Sequence, residues 1–313
     1  MLKTKIGVCV LAAGLLAGCG GGGGDSEAVA TVPLSVANYE TVALTVAASV
    51  VGSGNIISDA FEDTASADLA RSTTAQVRAL NSGRVADIAR FSLNRVAVRQ
   101  QGLERPAVVW TEIEPCTLSG HLSIRINDAD NDGYESVGDS ITVTANQCLV
   151  EAGEPAVNGS LGYRITDLRY DAQGYFLSGA FDMSFTDFTS AGLVLNGSAS
   201  VSISRSEFVI GYKNLSASYA GQTLSQNYTL RENADGQITV SGLYTINGST
   251  YTLSTPAAIR MGLIYPDMGT LRIEDGRGNR VDSFMFYSGF TADLYLAGDA
   301  VRDASQFYLW SEL

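Results

Sequence analysis

Histidine is almost missing from this chain, with His121 the only one among 313 residues. A Ser-His-Asp triad would have to be built on that one side chain, and no Gly-x-Ser-x-Gly elbow accompanies it. No His/Cys cluster offers a zinc site, and no glycine-rich phosphate loop joins a strand to a helix. His121 falls on the polar side of an alternating run, where an ordinary surface or hydrogen-bonded role accounts for it. Bases are scarce as well, 20 Lys and Arg against 33 Asp and Glu, for a formal net charge of −13. That balance argues against a nucleic-acid partner and against electrostatic adhesion to anionic lipid. No candidate catalytic residue emerges. Paired carboxylates of the glycosidase kind are the one enzymatic arrangement that so acidic a chain leaves open. With 45% hydrophobic and 17% charged residues, the chain can still bury a substantial core.

What the chain does have begins at its amino end. Lys3 and Lys5 precede the apolar run Ile6 to Leu15, too short to span a bilayer and right for an export signal. Leu16-Ala17-Gly18-Cys19 follows, and it resembles the lipobox of bacterial lipoproteins. The resemblance implies cleavage before Cys19 and acylation of Cys19 at its thiol and new amino group. Each buried methylene adds ~0.8 kcal/mol, so two or three acyl chains would anchor the protein stably. Gly20, where an aspartate would favour retention, implies onward sorting to the outer membrane. Residues 1–18 are then a signal peptide and 19–33 a glycine-rich tether. Loss of Lys3 and Lys5 takes the charge from −13 to −15 (−13 − 2). Cys9 leaves with the signal and Cys19 carries lipid, which leaves Cys116 and Cys148 as a disulfide pair in an oxidising compartment. A catalytic dithiol is disfavoured by the long spacing and the lack of basic neighbours in sequence.

Between those cysteines lies the most informative stretch, Asn127 to Asp139. Asp128, Asp130, Asp132, Gly133 and Asp139 occupy positions 1, 3, 5, 6 and 12 of a calcium-loop template. Tyr134 would offer its carbonyl, and Ser136 stands where a water-mediated ligand is usual. Calcium takes six to eight oxygens, which closely spaced carboxylates on a sharp turn supply. Position 12 is Asp139 rather than glutamate, and the flanks read as strands, so the unit is no helix–loop–helix. The competing reading is that Asp-Asn-Asp-Gly is plain turn chemistry.

Asn38 is a candidate N-cap for an amphipathic helix carrying Tyr39, Val42, Ala43, Val46, Ala47 and Val50, stopped near Gly52-Ser53-Gly54. A second helix carries Val77, Leu80, Val85, Ile88 and Val96, with Arg84, Arg90, Arg95 and Arg99 as a solvated face. From about residue 103 the period changes to two. Leu118, Leu122, Ile124 and Ile126 alternate with polar residues, as do Ile141, Val143 and Ala145 after the acidic loop. If Cys116 faced Cys148 in an unbroken hairpin, Ile124 would face Ser140 and the two apolar faces would point opposite ways. The sequence therefore predicts a bulge between the disulfide and the apolar run. Leu118-Ser-Gly, Val157-Asn-Gly, Leu177-Ser-Gly, Leu195-Asn-Gly and Val240-Ser-Gly form a loose repeat, read as the starts of strands in an antiparallel meander. Asp171–Gly174, Asn233–Gly236 and Asp275–Gly278 read as hairpin turns. A strand is expected to close the chain.

The lipobox, the glycine tether, an Ala-Asn-Tyr helix, the Asp-rich hairpin ending in Gly138-Asp139, the Asn-Gly-Ser strands and a Trp-x-x-Leu terminus together resemble a group of uncharacterised proteobacterial outer-membrane lipoproteins. The resemblance implies location and a β-rich body, and carries no known activity. The expected fold is α+β, with helices over 34–102 packed on a large curved antiparallel sheet over 103–313. That sheet would have about ten strands and form a barrel or half-barrel, with a β-sandwich as alternative. Two functions fit. One is a structural or interaction module of the envelope, steadied by the disulfide and a calcium ion and binding a protein or glycan. The other is a carrier of lipid or another amphiphile in a β-lined cavity, which would need that cavity empty.

Overall fold

The structure, a computed structural model, describes residues 32–61, 109–132, 136–149, 152–153, 155–173, 176–190, 193–204, 206–219, 222–262 and 265–312. One helix, α1, spans Tyr39–Phe61. The strands are β1 Val109–Pro115, β2 Ser119–Asn127, β3 Ser140–Leu149, β4 Val157–Tyr170, β5 Phe176–Ser190, β6 Leu193–Ser204 and β7 Glu207–Tyr219. They continue as β8 Gln222–Asn233, β9 Gln237–Ile246, β10 Ser249–Met261, β11 Pro266–Glu274, β12 Arg280–Phe286, β13 Gly289–Tyr295 and β14 Ala304–Leu309. A short 3-10 turn, Trp310–Glu312, follows.

Every strand pairs antiparallel with its neighbours in sequence, so all fourteen make one meander in the order β1 to β14. Alternation along the strands is the cause. Leu122, Ile124 and Ile126 are buried on β2, and Leu224, Tyr228 and Leu230 on β8. The intervening residues are mostly polar, so each strand has one face to hide. Asp171, Asn233 and Asp275 begin the β4–β5, β8–β9 and β11–β12 turns, as expected. Fourteen strands exceed the expected ten because many connections are only a few residues long and leave little sequence trace of a break.

The sheet stays open, with β1 and β14 as its edges, so of the expected barrel or half-barrel the closed form is excluded. The edges are short, seven and six residues against 12 to 15 in β4 to β8. β1 also carries Glu112, Glu114 and Pro115, residues that blunt an edge against further pairing. Nor do the strands divide into two separate hydrogen-bonded sheets, since the ladder is continuous.

The predicted bulge is present. Leu122 pairs with Ala145, Ile124 with Val143 and Ile126 with Ile141, so the apolar faces agree. The register shifts between Ser119 and His121, where Gln147 takes φ 51°. Cys116 lies just past β1, and its disulfide to Cys148 closes there with Cα atoms 5.4 Å apart.

That bulge is the first of a line, and the repeat, which does mark an antiparallel meander as expected, has a further role within it. Its glycines lie within or at the start of strands, and Gly120, Gly159 and Gly197 on β2, β4 and β6 each face a bulged residue on the next strand. Those residues, Gln147, Asp187 and Asn214, all have positive φ. A Cβ on Gly159 would stand 2.1 Å from the Asp187 carbonyl oxygen, and one on Gly197 2.3 Å from that of Asn214. The preceding asparagines lock the other side. Asn158 Oδ1 accepts from Gln147 N–H (2.9 Å), and Asn196 Oδ1 accepts from Asp187 N–H (2.8 Å). Bulges bend a strand and raise its twist, so a row of them across β2 to β7 coils the sheet.

α1 lies on the inward face near β9, β11, β12 and β13. Ala43, Val46 and Ala47 are fully buried in the same cluster as Leu271, Ile273, Val281 and Leu294. Ser49 Oγ and Tyr244 OH bond at 2.7 Å, and Tyr308 OH donates to Glu40 Oε2 (2.8 Å). Asp275 Oδ2 accepts from Leu34 N–H (2.9 Å) and fixes the entry of the chain. Asn38 stands at the start of α1 as expected, with its carbonyl accepting from Val42 N–H. Its side chain turns back to Ser35 N–H (2.8 Å) instead of capping forward. The helix runs through Gly52-Ser53-Gly54, which corrects the expected stop. Glycine weakens a helix by about 1 kcal/mol without ending it, and the buried turns upstream supply the compensation. The second predicted helix and its arginines lie outside the described residues.

Candidate metal centre

The β2–β3 connection carries the acidic loop. Asp128 continues the inward parity of β2 and is buried, while Asp139 immediately precedes β3 and is half-buried. This brings Asp128, Asp130 and Asp139 together, with one carboxylate oxygen of each within 4.8 Å of the others. The chain holds the group in place by its own hydrogen bonds. Asp139 Oδ1 accepts from Ala129 N–H (2.8 Å) and Ser136 Oγ (3.2 Å), and Oδ2 accepts from Ser136 N–H (2.8 Å). Asp128 Oδ1 accepts from Asn131 N–H (2.6 Å), and Asn131 sits in the left-handed region at φ 59°. Gly138, at φ 105°, donates to the Ile165 carbonyl on β4 (2.9 Å), which ties the loop to the sheet. The Ser136 side-chain hydrogen bond holds the Asp130 carboxyl below its ordinary range.

Of the predicted ligands, positions 1, 3 and 12 converge, and Ser136 joins them through its hydroxyl. Asp132 is exposed and outside the group, and Tyr134 lies outside the described residues. Oxygens across a calcium ion at 2.3–2.6 Å stand up to about 5 Å apart, so the spacing fits that ion. A carboxylate has about four acceptor sites, and three on Asp139 are in use, which leaves that residue a one-oxygen ligand. The same bonds are also those of a well-made turn, so both readings of the loop remain consistent with its geometry.

A second carboxylate pair escaped the sequence reading. Asp282 and Asp293 are direct cross-strand partners on β12 and β13, facing away from α1 and nearly buried. Arg272 holds Asp282 with two bonds (2.7 and 2.9 Å), and Arg280 adds a third (3.3 Å). Arg302 and Ser305 hold Asp293. Both carboxylates are thus enclosed in an ion network rather than presented to a cleft. Alternation would have shown only that they share a face, since a sequence carries no register between β12 and β13. His121 sits half-buried on β2 opposite Asn146. Cys19 lies outside the described residues.

Compared with known proteins, the chain matches no protein-family model, no curated protein and no solved structure.

Proposed function

We propose that the protein is a lipid-anchored module of the bacterial outer membrane, acylated at Cys19, with a structural or interaction role towards an envelope protein or glycan. The observation that carries this reading is the Cys116–Cys148 disulfide, because such bonds persist in an oxidising compartment. The export signal and lipobox in the sequence lead to the same address. In this reading α1 is the first of two helices packed on a coiled sheet, an α+β body held off the lipid by its glycine tether.

The acidic loop serves as a calcium site of the weak, extracellular kind, on the order of 10⁻⁴ to 10⁻³ M. Asp128, Asp130 and Asp139 would hold the ion, and its charge would offset their mutual repulsion and stiffen the crosslinked hairpin. A covered inward face favours a module over an amphiphile carrier. Tyr228, Leu230, Tyr244, Leu253, Ile259, Leu271, Ile273, Phe290 and Leu294 point inward at 2% exposure or less, and α1 adds its own face to them.

Cell fractionation tests the address. The native chain should partition with outer membranes, and Cys19→Ser should release it to the soluble periplasmic fraction. A Cys19→Ser chain that stays with the membrane in unchanged amount contradicts lipid anchoring.

A further inference from the structure

The outward face of β11 to β14 carries an uncharged, apolar corner that stays exposed among the described residues. Five large side chains meet there, Met268, Phe286, Tyr287, Phe307 and Leu309, with exposures from 40% at Leu309 to 80% at Tyr287. Register joins three of them, with Tyr287 next to Phe286 in the β12–β13 turn and Met268 two residues before Thr270 on β11. Phe286, Gly289 and Leu309 form one row across β12 to β14, and Thr270, Phe284, Thr291 and Phe307 form the next. The Phe307 ring lies over Gly289, where a Cβ would meet its Cζ at 2.9 Å. Neither 284–292 nor 304–310 contains an Asp, Glu, Lys or Arg. Asp267, next to Met268, is neutralised by two bonds from Arg260 (both 2.9 Å).

We infer that this corner docks into the interfacial zone of a zwitterionic phospholipid bilayer, the one to which the tether leads. The inference rests on the lipid-anchor reading above. Three observations select that occupant. With roughly 200 Å² for a large side chain, the five expose on the order of 500 Å². That falls short of the ≈800 Å² per partner of a stable protein interface, but a tethered surface needs less. A second copy of a chain with net charge −15 after loss of Lys3 and Lys5 (−13 − 2) would also be repelled, whereas a neutral lipid surface would not repel it. The cation at its border, Arg260, is paired with Asp267 rather than free to seek lipid phosphate, and Tyr favours the membrane–water boundary while Phe and Leu suit the apolar layer beneath it.

Reach is sufficient. Val32 is held at Tyr251, whose hydroxyl donates to its carbonyl (3.3 Å), and Leu34 at Asp275. Along β10, Tyr251 lies nine residues from Arg260, the partner of Met268, a distance of about 30 Å. The 13 residue steps from Cys19 to Val32 extend to about 45 Å. Anchor and patch can therefore rest on one bilayer.

The test uses the full lipidated chain in phosphatidylcholine vesicles with brominated acyl chains. The indole introduced by Tyr287→Trp should be quenched, measured against the parent with its native Trp110 and Trp310. One introduced by Tyr170→Trp, exposed on β4, should not be. In parallel, the unanchored Cys19→Ser chain should bind plain phosphatidylcholine vesicles weakly, and Phe286→Ser should lower that partition about tenfold with an unchanged melting temperature. Vesicle flotation without quenching at position 287 overturns the docking and leaves the anchor standing. Failure of the lipidated preparation to float overturns the anchor. In that case the docking also falls if the Cys19→Ser chain shows no partition. A doubled solution mass abolished by Phe286→Ser, without vesicle binding, assigns the corner to self-association instead and overturns the inference.

Discussion

Replacing Gly159 by alanine should be among the most damaging single-methyl additions in this protein. Gly159 has φ +89°, a conformation that costs an L-residue about 1–2 kcal/mol. Its new Cβ would stand 2.1 Å from the Asp187 carbonyl oxygen, 2.4 Å from the carbonyl carbon and 2.7 Å from Phe188 Cα. All three are backbone atoms of the adjacent strand, so no side chain can rotate away and the bulge itself must move. Overpacking of this kind adds roughly 1–3 kcal/mol. The total, about 2–5 kcal/mol, is a large part of the 5–15 kcal/mol that holds a typical fold. Gly248 is the control. Its φ is +81°, yet nothing lies within 4 Å of its Cβ position, so Gly248→Ala should show the conformational cost alone. Guanidinium unfolding followed by tryptophan fluorescence measures both, with the shift in midpoint read at constant slope. If Gly159→Ala is no worse than Gly248→Ala, the close strand approach at the bulge line is wrong.

Three other outcomes follow from the structure. Cys116→Ser/Cys148→Ser opens a crosslink with a sequence separation of 32 and should cost about 3–4 kcal/mol in the same unfolding assay. Titration calorimetry should show calcium uptake at millimolar concentration, lost in Asp130→Asn, and no heat at ~10 mM would remove the ion from the account. Burial pushes the Tyr244 hydroxyl up to about 12. Because the unfolded chain loses that proton near pH 10, stability is complete below pH 10 and falls by roughly 3 kcal/mol as the pH rises to 12. Tyr244→Phe should remove that part of the alkaline slope, at a fixed cost from the bonds lost to Ser49 and Gln226. An unchanged slope in the variant would refute the assignment.

Much of this fold was legible because its causes are local. Alternation at Leu122, Ile124 and Ile126 marks a half-buried strand wherever it occurs, and Asn233-Ala-Asp-Gly236 turns the chain by its own dihedral preferences. Even the β2–β3 bulge could be inferred, since the disulfide and the apolar faces demanded incompatible registers. What was not legible depends on neighbours. Asn158-Gly159 and Asn196-Gly197 look like turn dipeptides, and only the adjacent strand shows that asparagine locks one bulge while glycine admits the next. The convergence of Asp128, Asp130 and Asp139 followed the template, but the exclusion of Asp132 depends on the local path of the loop. The Asp282–Asp293 pairing was invisible for the same reason, because cross-strand partners lie far apart in the chain.

The central claim is that this disulfide-crosslinked sheet is delivered to a membrane by a lipid on Cys19. Intact mass spectrometry of the protein extracted from outer membranes tests it in one spectrum. The account predicts a chain beginning at Cys19, heavier by a diacylglyceryl group and an amide-linked acyl chain, and lighter by the hydrogens of one disulfide. A chain that keeps residues 1–18, or begins elsewhere with no added lipid, would contradict it.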